Sequence, residues 1–206
     1  MPLSSETTKP GGALPPGVFP RFLPWLLLIG GTVGSLAAGI LTVEKIAILR
    51  DPSYVPSCSI NPVLSCGTVM TKPQAEAFGF PNPLLGIDGF AMVAVIGAAL
   101  LAGATFRRWF WLGLQAGATF GVIFVHWLIF QSLYRIGALC PYCLIVWTVT
   151  IPIFWYVTLH NLGTTRQLRQ PATTIARYHG VVLTLWFVLL LTLIGEQFWS
   201  YWRTLL

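Results

Sequence analysis

Long apolar runs, broken by short polar stretches, set the pattern of this chain. Five runs, near 22–44, 83–104, 109–133, 140–160 and 180–202, each reach the roughly 20 residues a membrane-crossing helix needs. The polar stretch at 45–82 is the longest connector between them. Residues 1–20 are rich in Pro, Gly, Ser and Thr and read as a disordered cytoplasmic tail ahead of a membrane domain at 21–206. That tail lacks the basic start of a signal peptide, and the run after it is too long for one, so the first run reads as a retained span. Within it, Gly31, Ser35 and Gly39 follow a small-xxx-small spacing that lets another helix approach closely. The same glycines make a poor dinucleotide loop, because neither a strand nor an acidic partner accompanies them. In the 45–82 connector, Thr71-Lys72-Pro73-Gln74 fits a capping box with Thr71 as N-cap and Gln74 at N3. It predicts a short helix, with Ala75, Ala77 and Phe78 on an apolar side, lying over the membrane surface.

Composition sharpens this picture. The chain is 55% hydrophobic and 9% charged, against roughly 25% charged in a soluble domain. Mean hydropathy is +0.74. The expected fold class is therefore all-α and integral to the membrane. The net charge of +6 comes without a basic cluster interleaved with stacking aromatics, which argues against a nucleic-acid partner and for a topology signal. With the N-terminus inside, seven basic residues fall inside (Lys9, Arg21, Arg107, Arg108, Arg166, Arg169 and Arg177). Five fall outside: Lys45, Arg50, Lys72, Arg135 and Arg203. This orientation puts the 45–82 loop and the start of the fourth span on one outer face.

That face receives all four cysteines, Cys58 and Cys66 from the loop and Cys140 and Cys143 from the mouth of the fourth span. An even count in two pairs points to disulfide chemistry in an oxidising compartment. Cys-x-x-Cys at a helix N-terminus favours a thiolate, through exposed N–H groups and the helix dipole. A second pair beside it can exchange with it through a mixed disulfide. Two permanent bridges would be a weak use of so short a spacing. A zinc site would ordinarily repeat the short spacing, and Ser59 to Ser65 is longer, so no metal is expected. No flavin, nicotinamide or haem pattern is present, which leaves a lipid-soluble quinone as the economical electron acceptor. The competing reading is a disulfide-stabilised scaffold or transporter without redox turnover, although no inverted repeat of broken helices supports transport. Asp88, about one turn into the second span, is a candidate for proton handling because an acid there is costly. His126, in the third span, reads as a packing residue, and Glu196, Trp199, Tyr201 and Trp202 as an interfacial belt.

Three stretches in order, Cys58-Ser59-Ile60-Asn61-Pro62-Val63-Leu64-Ser65-Cys66, Phe80-Pro81-Asn82-Pro83-Leu84-Leu85-Gly86 and Cys140-Pro141-Tyr142-Cys143, resemble the vitamin K epoxide reductase family over about 22–160. The likeness is to bacterial stand-alone members. It implies a four-helix bundle around a quinone of the menaquinone or ubiquinone type, one peripheral helix, and a short half-helix cap on the outer side of a bacterial cytoplasmic membrane. It implies that a thioredoxin-like periplasmic protein of the DsbA kind is oxidised; with the sequence stopping at Leu206, that partner is expected to be a separate protein. By the resemblance, Cys143 reacts with quinone and Cys140 is its partner, while Cys58 and Cys66 form the shuttle pair. Asn82 would hydrogen-bond a quinone oxygen. The DsbB type carries its two cysteine pairs in the reverse order. Two positions depart from the family pattern. Lys72 stands where Ser or Thr is usual, leaving adjacent Thr71 as the candidate for that hydroxyl's proton-handling role. Trp147 stands where Tyr is usual, and its ring can stack on a quinone and donate one hydrogen bond.

Overall fold

The computed structural model describes residues 21–165 and 174–204. The 1–20 tail, Arg166 and Arg169 lie outside the described residues. Five helices are long and apolar enough to span a membrane: α1 (Phe22–Arg50), α3 (Asn82–Leu101), α4 (Arg108–Gln131), α5 (Pro141–Thr164) and α6 (His179–Gln197). A five-residue helix, α2 (Cys66–Met70), and a 3-10 turn (Pro73–Glu76) lie between α1 and α3, and α7 (Trp199–Trp202) follows α6. No strand occurs among the described residues.

α1 is longer than its apolar run. Its 29 residues reach about 43 Å at 1.5 Å per residue, against a hydrocarbon layer of about 30 Å. The last turns, carrying Glu44 and Lys45, therefore continue as helix past the end of the apolar run, where the sequence pattern had predicted loop from 45 onward.

α1 packs most extensively on α3 and then on α5, while α4 packs on the other side of α5. Consecutive glycines make the double contact possible. A Cβ on Gly31 would run into the backbone at Ala94 and Phe90 of α3, whereas one on Gly30 would meet Ile153 of α5 at 3.2 Å. From the opposite side, a Cβ on Gly97 would strike the α1 backbone at Leu28 and Pro24. The expected small-residue seam is thus real but turned. Gly31 is on it and Ser35 reaches the Ile87 carbonyl, but Gly39 faces open space; Gly34, packed under the Phe90 ring, continues the seam. Leu23 and Leu27, Trp111, and Ile153, Tyr156 and Val157 close the half of the core farther from the cysteines, drawing on α1, α4 and α5. α6 sits at the edge, tied to α4 by a Trp186 Nε1–H that donates to His126 Nε2 at 2.9 Å. His126 Nδ1 donates in turn to the Val122 carbonyl at 2.7 Å, so this histidine is spent on packing.

Candidate active site

The loop that carries the first two cysteines folds on itself. Asn61 Oδ1 accepts from the Val63 and Leu64 amides, and the Ile60 amide donates to the Leu64 carbonyl. This tight turn brings Cys58 and Cys66 together as a disulfide. Ser65 then caps α2, its hydroxyl accepting from the Thr68 amide at 3.3 Å, which satisfies one orphan donor of the new helix. Ser59 Oγ accepts from the Gly67 amide at 3.2 Å.

A parallel bridge sets this loop against the mouth of α5. The Leu139 amide donates to the Val63 carbonyl at 2.7 Å, and the Ser65 amide donates to the Leu139 carbonyl at 2.8 Å. Each strand-like residue precedes a cysteine by one or two positions, so the pairing fixes Cys66 against Cys140. Their sulfurs are 3.2 Å apart. The chain reaches this position through a π-helical turn (Ser132–Ile136) ended by Gly137 at φ 69°, a left-handed conformation that suits glycine. Cys140 and Cys143 are free thiols, so the loop pair is oxidised while the helix pair is reduced. Cys66 and Cys140 are fully buried, whereas Cys58 retains 6% of its surface.

Cys140 is the N-cap of α5, just ahead of the span, and Pro141 at the first helical position loses no hydrogen bond there. The Cys143 thiol, donating to the Cys140 sulfur, holds the Cys140 thiol below the ordinary thiol range against the opposing effect of burial. The backbone amides of Cys143 and Tyr142 add to it. Lowering a thiol's pKa raises the share of its thiolate, the form that attacks a disulfide.

The other expected site residues fall as follows. Asn82 opens α3; its Nδ2 donates to the Gln74 carbonyl at 2.7 Å, and its Oδ1 accepts from the Ala77 amide at 3.0 Å. It therefore ties the 3-10 turn to α3. Trp147 is buried one turn below Cys143, in the cluster with Val125, Ile129 and Leu133. Asp88 is exposed and makes no hydrogen bond or ion pair among the described residues. Thr71 is exposed too, and its hydroxyl donates back to the Gly67 and Thr68 carbonyls. The capping box at Thr71 does not form: Lys72 is the N-cap of the 3-10 turn and Thr71 closes α2. The residue before a proline is pushed to extended backbone, and Lys72, at ψ 150°, takes that place before Pro73. Phe78, exposed after the 3-10 turn, packs against α4, its ring 5.4 Å from Phe124 and 6.2 Å from Phe120.

Sequence reasoning missed two groups. Glu44 and Lys45 are buried, and both bind the loop. Gln74 Oε1 is buried with no hydrogen-bond partner among the described residues. An acidic–basic pair at the end of an apolar run was a visible signal for the first; nothing local signalled the second.

The family model for the vitamin K epoxide reductase family matches residues 25–158 of the 206, a stretch that holds all four cysteines, Asn82 and Trp147. The chain belongs to that family, whose enzymes are thiol:quinone oxidoreductases. No curated protein matches the chain.

Proposed function

We propose, with that family membership as the premise, that this protein oxidises a thioredoxin-like periplasmic dithiol of the DsbA kind, in support of disulfide bond formation, and passes the electrons to a membrane quinone. The quinone is of the menaquinone or ubiquinone type, and the membrane is the bacterial cytoplasmic membrane, with the thiols on its outer face. The observation that carries this reading is the 3.2 Å approach of Cys66 to Cys140, across two pairs in opposite redox states.

The partner's thiolate attacks Cys58, the less buried cysteine of the loop bridge, and Cys66 leaves as a thiolate; the partner's second thiol then breaks the partner–Cys58 bond, releasing the oxidised partner and a free Cys58 thiol. With the helix pair oxidised, Cys66 attacks Cys140, the Cys140–Cys143 bond breaks, and Cys143 leaves as a thiolate. Cys58 then resolves the Cys66–Cys140 bridge, restoring Cys58–Cys66 and leaving Cys140 and Cys143 reduced. That is the bonding pattern observed here. A bound quinone supplies the sink for two electrons and two protons.

The residues present suit a quinone head. Asn82 Nδ2 spends one N–H on the Gln74 carbonyl and has a second to offer an acceptor. Gln74 Oε1, buried without a hydrogen-bond partner among the described residues, would be an acceptor for the hydroxyl of the reduced form. Trp147 supplies an aromatic face one turn from Cys143. Thr71 and Asp88 keep only a proton-handling role at the rim, since both are exposed.

Quinone absorbance tests the reading. The purified chain is mixed with a reduced thioredoxin-like donor and a short-chain quinone. Reduction of the quinone should require all four cysteines, and turnover that survives loss of Cys140 or Cys143 would contradict it. Asn82→Ala should raise the apparent quinone KM by roughly 2- to 13-fold, the value of one net hydrogen bond, while thiol exchange continues. An unchanged KM would remove Asn82 from the quinone site.

A further inference from the structure

We propose that Glu44 and Lys45, adjacent on the last turns of α1, form a positioning clamp that keeps Cys58 and Cys66 in register with Cys140 while the loop disulfide opens. The clamp holds the two arms of the loop separately. Glu44 takes the arm leading into Cys58, accepting from Ser57 Oγ at 2.6 Å and from the Tyr54 hydroxyl at 2.8 Å. Lys45 takes the arm leaving Cys66: its Nζ donates to the Met70 carbonyl at 2.7 Å and pairs with Glu76 at 2.8 Å.

The need for a clamp follows from the chemistry proposed above, on which this inference rests. Opening the Cys58–Cys66 bond removes the one covalent tie across an eight-residue separation. α2 is five residues long, far below the length at which a helix holds by itself. Its last carbonyls lack intrahelical partners, and Lys45 satisfies the one at Met70 while placing a positive charge at the helix's negative end. Glu44 and Lys45 are each only 7% exposed, and burying such groups is costly unless they are bonded. All their bonds run to the two loop arms. α1 also packs on α5, which carries Cys140 and Cys143, so a clamp rooted in α1 refers both thiol pairs to one rigid frame.

The Cys143→Ser chain isolates the step. Without a partner at position 143, the Cys140 thiolate attacks Cys66, the Cys58–Cys66 bond breaks, and Cys58 leaves as a thiolate, with no outside oxidant needed. The full-length protein in detergent would carry Cys143→Ser alone, or with Lys45→Met, Lys45→Arg or Glu76→Gln. Rapid alkylation and mass spectrometry then follow the rate of Cys66–Cys140 bridging and the share of Cys58–Cys140. Lys45→Met should slow correct bridging roughly tenfold and raise the wrong bridge, as expected when buried groups lose a partner. Glu76→Gln, altering a side chain that is 41% exposed, should slow it about two- to fivefold. Lys45→Arg, which keeps the charge and donors, should restore most of the rate. A purely structural role would lower yield without changing the choice of sulfur. Parent-like rate and choice in both Lys45→Met and Glu76→Gln would overturn the clamp; if Lys45→Met gives no protein, Glu76→Gln decides it. A parent that forms no Cys66–Cys140 bridge would instead sink the relay itself, and the clamp with it.

Discussion

Cys140 shows what one residue's surroundings do. Its sulfur receives a hydrogen bond from the side chain at 143, so its ionisation lies below the ordinary thiol range. Only the thiolate attacks, so bridging in a Cys143→Ser chain should accelerate as pH rises through a midpoint below that range. Serine keeps a donor at position 143; alanine does not. Cys143→Ala should therefore move the midpoint upward, measured as bridge formation against pH, and equal midpoints would show that the side-chain donor contributes nothing. The four cysteines were legible because their spacing and loop placement are local facts. Asn82 was reached through the family resemblance, and its hold on the Gln74 carbonyl was not visible in the sequence, because that bond joins segments eight residues apart. Thr71 misled because its hydroxyl had nearer carbonyls, on its own half-helix, than the cap pattern assumes.

At the scale of elements, the spans were legible to within a few residues at most ends, since hydropathy reports the lipid-facing surface directly. The end of α1 was not. Glu44 and Lys45 stop the apolar run but not the helix, because loop groups satisfy both charges. Which face of α1 packs was only half legible: spacing counts small residues, and only the partner helix shows which of them it meets. That difference can be tested. Gly31→Ala and Gly97→Ala force a methyl into the backbone of the facing helix and should destabilise by about 1–3 kcal/mol, read by thermal unfolding in detergent. Gly39→Ala, with open space around it, should unfold no earlier than the parent. Equal loss at all three positions would contradict the α1–α3 seam described here.

For the whole molecule, the arrangement works only if the four thiols share an oxidising face. The structure brings Cys58, Cys66 and Cys140 into one buried cluster with Cys143 packed against it, a convergence that sequence order alone does not dictate. The direction of insertion rests on the basic residues. A cysteine placed near Arg107 should resist an impermeant thiol reagent in intact cells, while one near Thr204 should react. Labelling at Arg107 from outside would put the thiols in a reducing compartment.

The relay order is the central claim, and mass spectrometry of the non-reduced Cys143→Ser protein tests it most directly. Cys66 is buried against Cys140, with their sulfurs 3.2 Å apart, and Cys58 is the less buried cysteine of the loop bridge. The account predicts a Cys66–Cys140 bridge with Cys58 free, together with loss of quinone reduction. A Cys58–Cys140 bridge with Cys66 free would contradict it and exchange the roles of the two loop cysteines.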